Sequence, residues 1–123
     1  MINGEIYAAC GDGWKDIILS THEKLLFLDP NYEISQIKEK FGGLRYYFTT
    51  TAEYPSPLFE IMQDIVRLAE YKSSYTCELC GAAGYDMLVE TRVSDYFYYT
   101  YCKKCSDNFL SNRKLFKKGD SNE

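Results

Sequence analysis

Two segments of the chain carry apolar residues at the spacing of an amphipathic helix. In residues 13–28 the apolar positions recur at intervals of three, four and seven, the period of a helix with one buried stripe. They are Trp14, Ile17, Ile18, Leu25 and Leu28. Asp12 is predicted to cap the start of this helix, and Asp29-Pro30-Asn31 to end it.

The second helical segment begins with Ser56 and Pro57, a favourable N-cap followed by the residue that suits the first helical position. The pattern predicts a helix that runs to about Tyr71. Its apolar stripe consists of Leu58, Ile61, Met62, Ile65, Leu68 and Ala69.

Between the two helices lies a segment with the signature of a β-hairpin. β-Branched and aromatic residues flank Gly42-Gly43, a pair that can adopt the positive φ angles of a tight turn. We expect strands at about 33–41 and 44–51. The second strand should end before Pro55, because proline cannot donate a hydrogen bond to a strand ladder.

From residue 75 onward the pattern changes to a cysteine-containing segment. A strongly β-forming stretch at 87–101 lies between two C-x2-C pairs, and a helical stretch begins at about 103. A two-residue gap lets a turn aim both sulfurs at one point, and two such turns supply the all-sulfur tetrahedron that zinc prefers. The predicted zinc ligands are Cys77, Cys80, Cys102 and Cys105.

Other interpretations of the four cysteines fit less well. A disulfide pair conflicts with a reducing compartment, a redox C-x-x-C motif would not explain two pairs, and iron–sulfur clusters use other spacings. Four protein thiolates leave no position for water, which makes the expected role of the zinc structural rather than catalytic. The remaining cysteine, Cys10, is expected to be a small buried hydrophobic residue.

These elements predict an α+β fold in which a helix–β-hairpin–helix layer packs on a small four-cysteine zinc module. The expected divisions are 1–72 for the layer, 73–118 for the zinc module and 119–123 for a flexible tail, all within one compact unit. The zinc module at 73–118 buries too little surface to fold alone, so a metal would hold it together. A treble clef and a zinc ribbon both remain open.

The charge and composition of the chain limit which classes of partner and which cellular location are expected. The formal net charge is −4, which argues against a general polyanion binder. Residues 1–101 hold eight basic and fifteen acidic side chains (−7), whereas residues 102–123 hold six and three (+3); the basic end is interpreted as a solvated helix. Neither a signal peptide nor a membrane span is indicated, so we expect a cytoplasmic protein with reduced thiols.

An enzymatic role is not expected. The single histidine, His22, lies within a predicted helix, and the chain shows no Ser–His–Asp or Cys–His set. Gly42-Gly43 precedes a strand rather than a helix, so it is not a phosphate-binding loop. No small-molecule substrate is evident from the sequence.

Twelve tyrosines form the most unusual feature of the composition, and many fall in the segments 44–48 and 95–101. On a strand, alternate rings face the core and the solvent, and solvent-facing tyrosines favour protein binding. That these rings only cover the core is an equally plausible interpretation. The predicted partner-binding residues are Arg45, Tyr46, Tyr47, Tyr96, Tyr98, Tyr99 and Tyr101. Because rings on strands also stack on bases, a nucleic-acid-binding zinc protein or transcriptional regulator is the alternative.

The sequence also resembles a known family. QIKEKFGGLRYYF at 36–48, an amphipathic helix, TCELCG at 76–81 and a later C-x2-C resemble a family of short uncharacterised proteins frequent in bacteriophages and prophages. The resemblance spans roughly Trp14 to Cys105, and KFGGLR is its most distinctive part. It brings no assigned activity, but it implies a small phage-type protein of the host cytosol. Such proteins often bind and inhibit a host protein, anti-phage defence effectors included.

Overall fold

The computed structural model describes residues 6–94 and 97–121, with the backbone alone for residue 85 and residues 113–121. Within these residues the fold is α+β, as the sequence predicts. The helices are α1 (Lys15–Leu28), α2 (Pro57–Ser73) and α3 (Lys103–Ser121), with 3₁₀ turns at Asp12–Trp14 and Tyr85–Met87. The strands are β1 (Glu33–Lys40), β2 (Gly43–Thr49), β3 (Glu90–Ser94) and β4 (Phe97–Tyr101).

The helix boundaries agree with the apolar pattern except at the start of α1. Ser56 caps α2, since its hydroxyl accepts a hydrogen bond from the Phe59 N–H at 3.2 Å. Asp12 does not cap α1, because it lies inside a preceding 3₁₀ turn and Trp14 occupies the N-cap position. At the other end of the chain, α3 runs to Ser121, later than a tail at 119–123 implies, and residues 122–123 lie outside the described part.

The first hairpin turns one residue earlier than the sequence suggests. Lys40 pairs with Gly43, so the two-residue turn is formed by Phe41 and Gly42. Both have positive φ, 54° and 82°, as a primed turn requires. Gly43 instead begins β2. Phe41, rather than a second glycine, therefore adopts the left-handed backbone conformation at the first position of the turn.

The main core lies between α1, α2 and the inward face of the first hairpin. Alternate residues of β2, Leu44 and Tyr46, point into it, and Ile37 of β1 does the same. The predicted stripe of α1 lies on its buried side, but that of α2 is only partly correct. Ile61 and Leu68 are exposed, whereas Val66, outside the predicted stripe, is buried. The fully buried apolar side chains at its centre are Trp14, Ile18, Leu25, Ile37, Leu44 and Met62.

Both edges of the first hairpin are occupied along part of their length. Ala9 forms a parallel bridge with Lys38 on the β1 side through two backbone hydrogen bonds. On the β2 side, α2 supplies acceptors: Ser73 Oγ accepts from Leu44 N–H, and a Glu70 carboxylate oxygen accepts from Tyr46 N–H, both at 3.0 Å. Side chains thus satisfy backbone groups that would otherwise form an open sheet edge.

The second hairpin, β3–β4, and α3 form the cysteine-containing part of the chain. β3 pairs antiparallel with β4 from Glu90 opposite Tyr101 to Ser94 opposite Phe97. The two hairpins belong to separate two-stranded sheets. Among the described residues, no helix combines the length and the apolar character needed to cross a lipid bilayer.

Candidate metal centre

The first cysteine pair lies in a tight turn that follows α2. The Gly81 N–H donates to the Cys77 carbonyl at 2.9 Å, closing the turn, and Gly81 itself has φ 80°. The Ala82 N–H points at the Cys80 sulfur, 3.4 Å away. This is the arrangement of a metal-binding knuckle: backbone N–H groups face the sulfur, and a glycine takes the left-handed position after the second ligand.

The second cysteine pair lies where β4 passes into α3. Cys102 immediately precedes the helix, and Cys105 lies in its first turn, with its N–H directed at the Cys102 sulfur at 3.5 Å. The chain order is therefore knuckle, hairpin, then a helix that carries the last two ligands. That order is the one expected for a treble clef rather than for a ribbon, which lacks the terminal helix.

The four sulfur atoms converge on one point. Those of Cys77, Cys80, Cys102 and Cys105 all lie within 4.8 Å of one another. The sulfurs of Cys80 and Cys102 are 3.8 Å apart. For comparison, a tetrahedral site with metal–sulfur bonds of about 2.3 Å has sulfur–sulfur edges of about 3.8 Å. The geometry therefore suits a single four-coordinate ion.

The pKa values of the cluster thiols shift in different directions, since that of Cys77 is lowered and those of Cys80 and Cys105 are raised. Burial alone would raise the pKa of Cys77, but the backbone N–H groups of Cys80, Cys102 and Leu79 lower it to about 7. The pKa of Cys105 is raised, by burial first and then by hydrogen bonds with the neighbouring thiols. Ionising all four thiols would place four negative charges together, and a divalent cation removes this obstacle.

The knuckle is docked on the N-terminal segment of the chain. The Gly13 N–H donates to the Glu78 carbonyl at 2.7 Å, and the Trp14 indole N–H donates to the Thr76 carbonyl at 2.8 Å. A Cβ atom at Gly13 would overlap the Cys77 carbonyl oxygen. The glycine in this segment therefore permits direct backbone contact between the knuckle and the start of α1.

Thr100 connects the knuckle to the tip of the first hairpin. Its carbonyl accepts from the Glu78 N–H at 2.9 Å, and its hydroxyl donates to the Gly42 carbonyl at 2.5 Å and contacts the Thr91 hydroxyl at 2.7 Å. A Cβ atom on Gly42 would lie 2.9 Å from the Thr91 methyl group. The KFGGLR segment is thus the point at which the first hairpin packs on the second.

An aromatic cluster joins β4 to α3. The ring of Phe109 lies 5.1 Å from that of Tyr99, 5.5 Å from that of Tyr101 and 5.9 Å from that of Phe97. These separations are typical of favourable ring pairs. The cluster lies beside the second cysteine pair and forms a small apolar core of its own.

Two of the tyrosines predicted to bind a partner are buried, which corrects their assignment. Tyr46 is 2% exposed, and its hydroxyl lies 2.8 Å from that of Tyr32. Tyr99 is 4% exposed within the aromatic cluster. Tyr101 is half-buried in the same cluster. For these rings the simpler interpretation, that they cover the core, is the better one.

The remaining predicted contact residues lie at the surface or outside the described part. Tyr47 and Tyr98 are exposed, and Arg45 is half-buried with its guanidinium donating to the Leu44 carbonyl at 3.1 Å. Tyr96 lies outside the described residues. The structure therefore leaves Arg45, Tyr47 and Tyr98 as the accessible members of the predicted set.

The structure also shows where Cys10 and His22 lie. Cys10 is half-buried against the main core, and its pKa is raised to about 11 by burial first and then by nearby carboxylates. His22 is hydrogen-bonded through Nδ1 to the Tyr32 hydroxyl, at 2.5 Å. Among the described residues, neither belongs to the four-cysteine cluster.

Sequence reasoning missed the residues that organise the contacts around the cluster. Thr100 and Gly13 carry no motif, and their roles depend on contacts with distant parts of the chain. Outside the cluster, the sequence indicates Asp29 only as a helix stop, yet its buried carboxylate accepts hydrogen bonds from Thr50 and Thr51, which lower its pKa to about 2. The glycine-rich segment around Gly13 was the one available signal.

Comparison with known proteins found no matching family model, no matching curated protein and no matching solved structure.

Proposed function

We propose that the chain is a zinc-stabilised, non-catalytic protein-binding module. Zinc is favoured over an iron–sulfur cluster because the thiolates of a cluster bind different iron atoms, whereas the sulfur separation of 3.8 Å suits one tetrahedral ion. Four protein ligands fill the coordination sphere. The zinc then holds the knuckle, β4 and α3 in place instead of activating water.

The observation that carries the binding proposal is an apolar patch where the two hairpins meet. This junction patch consists of Phe41, Val93 and Tyr98, which are 65%, 64% and 45% exposed. The Phe41 and Tyr98 rings form an edge-to-face pair with centroids 5.9 Å apart, and Val93 lies opposite Tyr98 in the ladder. Exposed aromatic and aliphatic side chains that cluster in this way are typical of protein contact sites.

The backbone of Phe41 supports the same conclusion. A left-handed conformation costs a non-glycine residue on the order of 1 kcal/mol. The ring pair with Tyr98 and the contact with Lys40 Nζ offset part of this cost, yet the ring remains 65% exposed. Residues kept in unfavourable conformations are candidates for function. The ring of Phe41 would recover the rest of this cost by contact with a partner.

The partner proposed is a host protein, which this module would bind stoichiometrically and modulate or inhibit. Support for a host partner comes from the resemblance to phage and prophage proteins. The same resemblance suggests that the module acts in the host cytosol. It also suggests that anti-phage defence effectors are among the targets of the module. The exposed junction patch is consistent with binding. The four cysteines fill the coordination sphere of the zinc and leave no position for a substrate, which is consistent with binding rather than catalysis.

The experiment compares three tagged, zinc-loaded chains incubated with nuclease-treated bacterial lysate. Quantitative mass spectrometry should find host proteins retained by the wild type but lost from the Phe41→Ala/Tyr98→Ala variant. Phe27→Ala is the matched control, since Phe27 is 86% exposed but lies on α1, outside the junction patch. Identical retention by all three chains, or recovery of nucleic acid alone, would contradict the proposal.

A further inference from the structure

The outer face of the first hairpin carries a concentration of positive charge. Because strand residues alternate, Arg45 and Tyr47 face away from the buried Leu44 and Tyr46. On β1, Lys38 and Lys40 lie on the same outer side. We call these four residues, Lys38, Lys40, Arg45 and Tyr47, the outer hairpin face.

Two of these cations oppose each other directly. Lys38 and Arg45 are cross-strand partners in the ladder, and like charges in that position destabilise a hairpin. Among the residues that the structure describes, no carboxylate pairs with Lys38, Lys40 or Arg45. The chain is acidic overall, with eighteen acidic against fourteen basic residues, so local carboxylates are not scarce.

Some other cations form ion pairs, although others in the described part, such as the exposed Lys24, have none. Arg67 pairs with Asp64, Arg92 with Glu90, and Lys103 with Asp107, at 2.9–3.1 Å. The distinctive feature of the outer hairpin face is therefore the direct opposition of Lys38 and Arg45, with Lys40 beside them over the Phe41 ring. This opposition of like charges points to an anion that is supplied from outside.

Building on the proposed function, we propose that the outer hairpin face binds an extended acidic segment of the partner protein. Residues two apart on a strand are about 7 Å apart, which is the separation of Lys38 and Lys40 along β1. An extended peptide with acidic side chains at every second residue presents carboxylates at the same interval. Arg45 lies directly across from Lys38 and can bind a carboxylate with both of its terminal nitrogens.

A peptide suits this face better than a long polyanion does. The patch is small, whereas residues 1–101 carry a balance of −7 and a zinc tetrathiolate adds a net −2. A nucleic acid that extended beyond the patch would be repelled by this acidic body. A short acidic segment contacts only the cationic face, and Tyr47 supplies a ring on the same side for its aliphatic atoms.

The test uses the zinc-loaded full chain and fluorescence anisotropy at low ionic strength. The probes are a short labelled oligo-glutamate peptide and an oligo-thymidylate of equal charge. We expect the peptide to bind the wild type, and Lys38→Gln/Arg45→Gln to weaken it about fivefold for each charge removed. Lys24→Gln, a change to an exposed lysine on α1, should leave binding unchanged.

Unfolding of the same variants distinguishes a binding role from a structural one. Removing the repulsion should leave the Lys38→Gln/Arg45→Gln chain as stable as the wild type or more so. The inference is overturned if the peptide does not bind, if Lys24→Gln weakens it equally, if stability falls together with affinity, or if oligo-thymidylate binds more tightly. Such a failure leaves the lysate result for Phe41 and Tyr98 intact, so the two proposals fail separately.

Discussion

Replacing Thr100 with valine tests whether the hairpins and the metal centre form one cooperative structure. The change keeps the β-branched shape but removes the hydroxyl, which donates to the Gly42 carbonyl and contacts the Thr91 hydroxyl. Thr100 and Gly42 are both buried. The Gly42 carbonyl would therefore lose its donor in a place from which water is excluded.

The expected cost follows from that burial. A buried carbonyl left without a donor costs about 1–3 kcal/mol, so we expect Thr100→Val to lower the free energy of unfolding by about 2 kcal/mol. Thr91→Val is the matched control. It removes the other hydroxyl of the pair, but Thr91 is exposed and the bond from Thr100 to Gly42 remains, so the loss should be under about 0.5 kcal/mol.

The assay is urea unfolding of the zinc-loaded chains followed by circular dichroism. The comparison requires that the free energy of unfolding change with urea concentration by the same slope in each chain. Equal losses for the two variants would refute the reasoning, as would a loss below about 0.5 kcal/mol for Thr100→Val. Either result would mean that the contact between the hairpins contributes little to the stability of the fold.

Three further predictions concern the cluster, the contact of the knuckle with the N-terminal segment, and Asp29. Cys77→Ser should abolish hydrogen-exchange protection from residue 75 onward while Cys10→Ser retains it, because only Cys77 belongs to the four-sulfur set. Gly13→Ala should destabilise the chain by about 1–3 kcal/mol in urea, because the methyl group overlaps the knuckle backbone, whereas Gly43→Ala, with no backbone atom closer than 3.7 Å, should be tolerated. Asp29 has a pKa of about 2 when folded and an ordinary value near 3.9 when unfolded, so its contribution should be complete above about pH 4 and disappear as the pH falls towards 2. The difference in the free energy of unfolding in urea between the wild type and Asp29→Asn should therefore narrow over that range, because the other carboxylates and the thiols titrate in both chains.

The sequence predicted those parts of the fold that depend on local patterns. The buried stripe of α1 and the extents of α1 and α2 follow from helical spacing, and the Ser56–Pro57 start of α2 follows from capping chemistry. Spacing alone did not give the buried face of α2, where Ile61 and Leu68 are exposed and Val66 is buried. The four cysteines could be grouped in advance because a two-residue gap constrains where two sulfurs can point. Each of these signals lies within a few residues of the structure that it specifies.

What the sequence did not predict depends on contacts between distant residues. The turn of the first hairpin shifts to Phe41-Gly42, where Gly42 packs against Thr91 and Thr100 of the second hairpin. The docking of the knuckle on the N-terminal segment joins residues more than sixty positions apart, such as Trp14 and Thr76. The spacing of apolar residues along the chain does not predict contacts between residues so far apart in sequence.

The tyrosine-rich segments show the same limit. Strand alternation correctly separates Tyr46 from Tyr47, but it does not say which of the two faces the core. In β4 the position of α3 decides the matter, because Phe109 covers Tyr99 and Tyr101 and leaves Tyr98 exposed.

Native mass spectrometry of the freshly purified chain shows whether the four cysteines hold one metal ion. We expect the mass of the chain plus a single zinc ion, with the ion lost in Cys77→Ser and retained in Cys10→Ser. A compact, metal-free chain with its four cluster thiols reduced would contradict this expectation.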